Sequence, residues 1–139
     1  MRTFWSKPRS APVKFVYITA DPTQASEVKR LAGPEFLLEV AVSSLDSALQ
    51  AAEKSGACVV LTDAELPGFT WRDVVAVSRE CDPAPAVVVI LDSFESAEWA
   101  DIMRTRAYDV LLRPLRRESL AAILAGAYAS ATGVRKSPN

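Results

Sequence analysis

Residues 57–68 read Ala57-Cys58-Val59-Val60-Leu61-Thr62-Asp63-Ala64-Glu65-Leu66-Pro67-Gly68. A short apolar run rich in β-branched residues ends on a carboxylate, and Pro67-Gly68 follows. Such a run, bounded by turn residues and without polar alternation, predicts a strand covered on both faces, as parallel strands are. An acid at the point where that strand leaves the core stands at the carboxyl edge of the sheet. Open α/β sheets place their sites there, where the strand order reverses.

Working outward, four more runs share this character: Val13 to Thr19, Phe36 to Val42, Ala86 to Leu91 and Tyr108 to Leu112. Helical spacing fills the gaps. Leu45, Ala48, Leu49 and Ala52 form one stripe, and Leu120, Ile123, Leu124, Ala127, Tyr128 and Ala131 form another. Val28, Leu31 and Ala32 mark a first helix, Val74, Val77 and Cys81 a third, and Trp99, Ile102 and Met103 a fourth. Asp21 before Pro22, and Thr70 three residues before Asp73, supply helix starts. Strand and helix alternate five times through short connections, which right-handed crossovers turn into an α/β fold: a five-stranded parallel sheet with helices on both faces. The expected organisation is a flexible leader over 1–11, one domain over 12–131 and a tail over 132–139.

Composition narrows the function. The 139 residues carry 16 basic and 17 acidic side chains, a net charge of -1, and no histidine. Without histidine there is no usual general base, no commonest metal ligand and no Ser-His or Cys-His nucleophile, which argues against an enzyme. The charge balance offers no general field for nucleic acid, although Arg2, Lys7 and Arg9 make the leader locally basic; a solvated tail is the simpler reading. No apolar stretch approaches the roughly 20 residues of a membrane span, and no signal region is visible, so a cytoplasmic protein without membrane partners is expected. Cys58 and Cys81 lie in apolar periodic segments and are expected as buried thiols.

The predicted strand ends collect Thr19, Ala20 and Asp21, then Asp63, then Asp92 and Ser93, then Arg113 and Pro114. Here the sequence resembles the receiver domain of bacterial two-component response regulators, across roughly residues 13 to 131, in a degenerate, pseudo-receiver form. The resemblance rests on Asp63 with Pro67-Gly68 and on Leu111-Leu112-Arg113-Pro114-Leu115. It implies the (βα)5 flavodoxin-like fold, Asp63 at the phosphoacceptor position, and Arg113 where the family has lysine.

The departures are as informative. The family's paired acids, which hold magnesium with the acceptor, fall at Thr19 and Ala20, so no metal is expected; Asp21 is the one nearby acid, either a helix cap or a weak metal ligand. The switch hydroxyl position holds Asp92, or Ser93 if the short loop slips, and the switch aromatic position holds Val110. Tyr108 is expected on the same strand face, two residues earlier. Arginine is not a conservative replacement for lysine, because its planar fork binds two oxygens and keeps its proton. Arg113 is expected to pair with Asp63, Asp92 or both.

Other features have two readings each. Trp71 lies either near the site mouth or over the sheet edge. Trp99 and Tyr108 flank the surface that receivers use for partners, yet both suit ordinary packing. Arg104, Arg106, Arg113, Arg116 and Arg117 form either a solvated face or a docking patch for an acidic partner, and Arg116 and Arg117 oppose the dipole of the last helix. The leading expectation is a protein interaction module in two-component signalling that works without phosphorylation. Its partners would be a histidine kinase, an output protein or a second copy. The alternative is a working phosphorelay regulator receiving phosphate on Asp63 from a histidine kinase, with magnesium. A small cofactor-binding or enzyme domain on the same sheet is the third reading, and the absence of a Gly-rich loop after the first strand disfavours it.

Overall fold

The structure is a computed structural model that describes residues 11–93 and 97–133. Most of the expected leader and tail therefore lies outside the described residues. The elements are β1 (Val13–Ile18), α1 (Pro22–Ala32), β2 (Phe36–Val42), α2 (Leu45–Ser55), β3 (Val59–Asp63), β4 (Glu65–Leu66), β5 (Phe69–Thr70), α3 (Trp71–Ser78), β6 (Ala86–Leu91), α4 (Glu98–Met103), β7 (Asp109–Leu112) and α5 (Arg117–Thr132). Five strands form one parallel sheet in the order β2-β1-β3-β6-β7, so the order reverses between β1 and β3. Asp63 sits at that reversal.

Two cores flank the sheet. Phe15, Tyr17, Leu61, Ile90, Leu120 and Leu124 pack on the side of α1 and α5. Val16, Ile18, Val60, Trp71, Val89 and Ile102 pack on the side of α2, α3 and α4. The strict alternation of β1 residues between these clusters is the period-two pleat, and both faces are buried because each carries helices.

Caps set the helix starts. Asp21 Oδ1 accepts from Thr23 N–H at 2.9 Å, and Thr70 and Asp73 form a reciprocal capping box on α3. Pro67-Gly68 proves to be the two-residue turn of a small hairpin, Glu65 opposite Thr70 and Leu66 opposite Phe69, with Gly68 at φ 88. Proline then glycine at a positive φ is the signature of a type II turn. The hairpin carries Thr70 round to its capping position.

Several expectations need correction. The third strand begins at Val59 rather than Ala57, because Ala57 N–H is spent on Ala52 O and Ser55 Oγ at the end of α2. The first strand stops at Ile18, although Thr19 N–H still reaches Val42 O at 2.9 Å. Tyr108 precedes β7 and does not share a face with Val110: it packs into the α1/α5 core, whereas Val110 packs into the other. Its ring lies over Gly126, where a Cβ would come within 2.5 Å of the hydroxyl. The cysteines are half-buried rather than buried, since both lie at strand and helix ends instead of within the cores. Burial still pushes the Cys58 thiol up from its ordinary pKa.

Arg117, at the start of α5, reaches back to Leu31 O at 3.3 Å and Arg30 O at 3.4 Å. Its charge opposes the dipole of its own helix but meets the carbonyl end of α1, where a cation is favourable.

Candidate functional site

The site is built from the carboxyl ends of three strands. β3 delivers Asp63, whose side chain is mostly covered, at 17% exposure. From β1 and the residue that follows it come two hydroxyls: Tyr17 Oη donates to Asp63 Oδ1 at 2.5 Å, and Thr19 Oγ1 donates to Asp63 Oδ2 at 2.6 Å. Thr19 Oγ1 in turn accepts from Asp21 N–H at 3.1 Å, which orients its proton toward the carboxylate. From the end of β7, Arg113 Nη2 donates to Asp63 Oδ1 at 2.9 Å and stands 3.4 Å from Tyr17 Oη. Arg113 is positioned by its own backbone N–H, which donates to Leu91 O at 2.9 Å. Both oxygens of Asp63 thus already accept, and its negative charge already has a counterion.

This hydroxyl pair explains much of the local chemistry. Tyr17 is fully buried, and burial first, then the bond to Asp63 and its charge, raise the phenol well above its ordinary pKa. It therefore stays a neutral donor throughout the physiological range. Thr19 is also buried, and as an uncharged residue it can sit against a carboxylate without repulsion.

The remaining predicted residues are dispersed around this centre. Asp92, 90% exposed, places Oδ1 3.7 Å from Arg113 Nε, so Arg113 bridges Asp63 and Asp92. Asp92 and Ser93 both follow β6 and both line an open cavity of about 720 Å³ with Asp63, Asp21, Glu65 and Glu98. Ala20 is exposed and offers no side-chain donor, and Pro114 is exposed beyond β7. Asp21 lines the cavity, while its Oδ1 serves as the cap of α1. Val110 is half-buried in the β7 sheet face.

Trp71 packs in the core on the α2, α3 and α4 side and touches the cavity wall through Glu98. It is fully buried, and its indole N–H donates to Glu98 Oε2 at 3.0 Å, joining α3 to the start of α4. Arg72 stacks 4.6 Å above the same ring and pairs with Asp101 at 2.9 Å, a second tie between these helices. Of the arginine cluster, Arg104 pairs with Asp101, Arg113 with Asp63 and Arg117 with α1, which leaves Arg106 and Arg116 as exposed cations. Trp99 is 38% exposed, whereas Tyr108 is half-buried against Gly126.

Tyr17 is the functional residue that sequence reasoning missed. As a tyrosine inside an apolar strand it looks like core, and its ring is core. The available signal was its parity: it stands two residues before Thr19, on the same face and one layer deeper.

Magnesium, which the resemblance implies for a phosphorylated receiver, meets an unsuitable donor set. It calls for several oxygen ligands, usually including carboxylates. The groups converging on Asp63 are two hydroxyls that spend their protons on it and a guanidinium, which would repel a cation. Among the described residues no group of three or more acids, cysteines or histidines is arranged to hold a metal.

No family model matches the chain, and no curated protein matches it. Solved structures do. A response regulator receiver domain protein from Clostridium thermocellum superposes with TM-score 0.73 at 20% identity, covering 88% of this chain and 99% of that one. The signal receiver domain of an HD domain-containing protein from Pseudomonas fluorescens Pf-5 gives 0.74 at 15% identity, over 88% of this chain and 98% of that one. The receiver domain of AraT, a response regulator from Geobacillus stearothermophilus, gives 0.72 at 17% identity, over 88% and 98%. Strand order, flanking helices and these superpositions together give the chain the receiver fold, with Asp63 at the carboxyl end of its third strand.

Proposed function

We propose that this chain is a signalling module of receiver type that works through protein contacts and does not depend on phosphorylation of Asp63, a pseudo-receiver. The observation that supports this most directly is the saturation of Asp63 by Tyr17, Thr19 and Arg113. Phosphoryl transfer to a carboxylate needs a free, correctly aimed oxygen and neutralisation of the charge spread over the phosphoryl group, much of it ordinarily supplied by a metal. Here one oxygen carries two donors and the other carries one, and breaking a largely buried ion pair to free them is costly. The carboxylates of Asp21, Glu65, Asp92 and Glu98 around the same cavity add repulsion toward an incoming phosphate donor. The module would act in the cytoplasm as a binding partner rather than an enzyme, contacting a histidine kinase, an output protein or a second copy.

The second reading is a working phosphoacceptor, favoured by the openness of the cavity onto which Asp63 faces. Beryllofluoride with magnesium separates the two. The proposal expects no change in melting temperature or tryptophan emission, the latter sensitive because Trp71 is bonded to Glu98 on the cavity wall. A saturable change that disappears in Asp63→Asn establishes the phosphoacceptor instead.

A further inference from the structure

At the opposite edge of the sheet, where the strands begin, a cavity of about 400 Å³ lies between α2 and the turn joining α3 to β6. Ala52 and Ala57 are buried in its wall, and Leu49 and Pro85 are half-buried there. Val77 carries this apolar surface outward. It lies one helical turn before Cys81, itself in the wall, whose thiol donates to Val77 O at 3.7 Å, and it is 37% exposed. Asp46, Glu53 and Asp82 also line the cavity and are exposed. No lysine or arginine lines it, and none of the three acids forms a salt bridge among the described residues. An apolar floor beside three unpaired carboxylates calls for an occupant that brings an apolar side chain and a cation together.

The same face of the molecule displays that combination. α4 ends at Met103, 43% exposed, and the turn that follows carries Arg106, which is exposed and has no acidic partner among the described residues. Methionine is an unbranched thioether that adapts to irregular apolar space. β3, β6 and β7 are parallel, so the turn leading into β7 lies on the same edge of the sheet as the cavity. On the face that α2, α3 and α4 share, α2 packs on β1 and β2, α3 on β3 and β6, and α4 on β7, which sets α3 between the other two. The cavity therefore lies to one side of the exposed end of α3, and the turn with Met103 and Arg106 lies to the other. A two-fold axis beside Val77 exchanges these positions, so that each copy offers a cavity to its partner's turn and a turn to its partner's cavity. A closed dimer needs this self-complementarity, in which each patch meets the other patch of the second copy.

We propose that the chain forms a two-fold homodimer through this face. Met103 of each copy enters the other's cavity against Leu49, Ala52 and Pro85, Arg106 meets Asp46, Glu53 and Asp82, and Val77 packs near the axis. This dimer gives the module one of its partners, a second copy, and so rests on its working through protein contacts, but it makes no use of Asp63.

Sedimentation velocity of the full chain over a rising concentration series reads the association. R106E and D46K/E53K/D82K each set like charges across both contacts, and each is expected to raise the dimer dissociation constant roughly tenfold or more. M103S removes the apolar part and should act in the same direction. All these side chains are exposed, and among the described residues none of the four charged ones forms a salt bridge. Mixing the two charge-reversed chains is the sharper test, because it does not depend on a loss. In the mixed dimer one contact is reversed on both sides and the other is the parent's, so the mixture should associate about as tightly as the parent while neither chain does so alone. A parent that stays monomeric across the micromolar range overturns the dimer and leaves the reading of Asp63 standing, since no phosphate analogue enters the measurement. Association that neither reversal weakens, a mixture no tighter than its components, or growth beyond two copies overturns the dimer as well.

Discussion

The phenol of Tyr17 and the carboxylate of Asp63 stand 2.5 Å apart, donor to acceptor, across the β1–β3 seam. A phosphorylated receiver would need a metal and a movable phosphoryl group around that acid; here a buried ring from the next strand holds one of its oxygens. The contact ties a core residue to a site residue, so changes at either end are felt by both.

Stability should fall in alkali through Tyr17. Its folded pKa is raised, chiefly by burial, above the ordinary value of 10.0, so the folded state keeps a proton that the unfolded state loses. That contribution is complete below pH 10 and declines as pH rises beyond it, by about 1.4 kcal/mol per pH unit. Urea midpoints of the parent and Tyr17→Phe, taken from pH 8 upward, should converge above pH 10; parallel curves would contradict the assignment.

Removing the acid should cost more than removing any one donor. Asp63→Ala leaves Arg113, Tyr17 and Thr19 facing a gap, and a loss of about 3 kcal/mol is expected in denaturant unfolding, in line with a buried pair broken on one side. Thr19→Val, which deletes one neutral donor, should cost about 1 kcal/mol. A stabilised Asp63→Ala would show that the network is strained rather than satisfied.

Restoring the absent acids should create metal dependence. Thr19→Asp with Ala20→Asp sets two carboxylates beside Asp63, so the variant should melt lower than the parent without divalent cation, and millimolar magnesium should reverse that loss. The parent should melt at the same temperature with and without magnesium. A parent that gains several degrees on adding magnesium would sink the pseudo-receiver reading.

Gly126 and Tyr108 should behave as a coupled pair. Gly126→Ala drives a methyl to 2.5 Å from the Tyr108 hydroxyl, and overpacking of this kind costs about 1–3 kcal/mol. Tyr108→Phe removes the clashing atom and leaves the next ring carbon at 3.4 Å, so the double variant should regain the parent's stability or exceed it through the better helix propensity of alanine. A double-mutant cycle in denaturant measures the coupling, and strict additivity would count against it.

The sheet was legible because its signals are local and agree with one another. Val59 to Leu61 and Val87 to Leu91 are apolar throughout, and Asp21 and Thr70 mark helix starts by chemistry that acts within a few residues. Legibility failed where distant parts of the chain settle the outcome. The two readings of Trp71, site mouth or sheet edge, could not be separated from the sequence, because the full burial of its ring goes with a partner twenty-seven positions on, the carboxylate of Glu98, which accepts from its indole N–H. Tyr108 left its alternation because Gly126 opens space on the other side of β7. The residues around Asp63 were placed at one edge from strand order alone, but the depth from which Tyr17 reaches that edge depends on ring length and burial, which periodicity does not encode.

The guanidinium that finishes α1 belongs to a residue 86 positions further along the chain. During synthesis, then, the first helix emerges with bare carbonyls at its end and stays so until the last helix has been made. Trimming the chain ahead of Arg117 would do more than delete α5: it would uncover the face of β3, β6 and β7 that α5 covers and let the first helix fray. The two ends of this fold are therefore expected to form together, late, as a single cooperative unit.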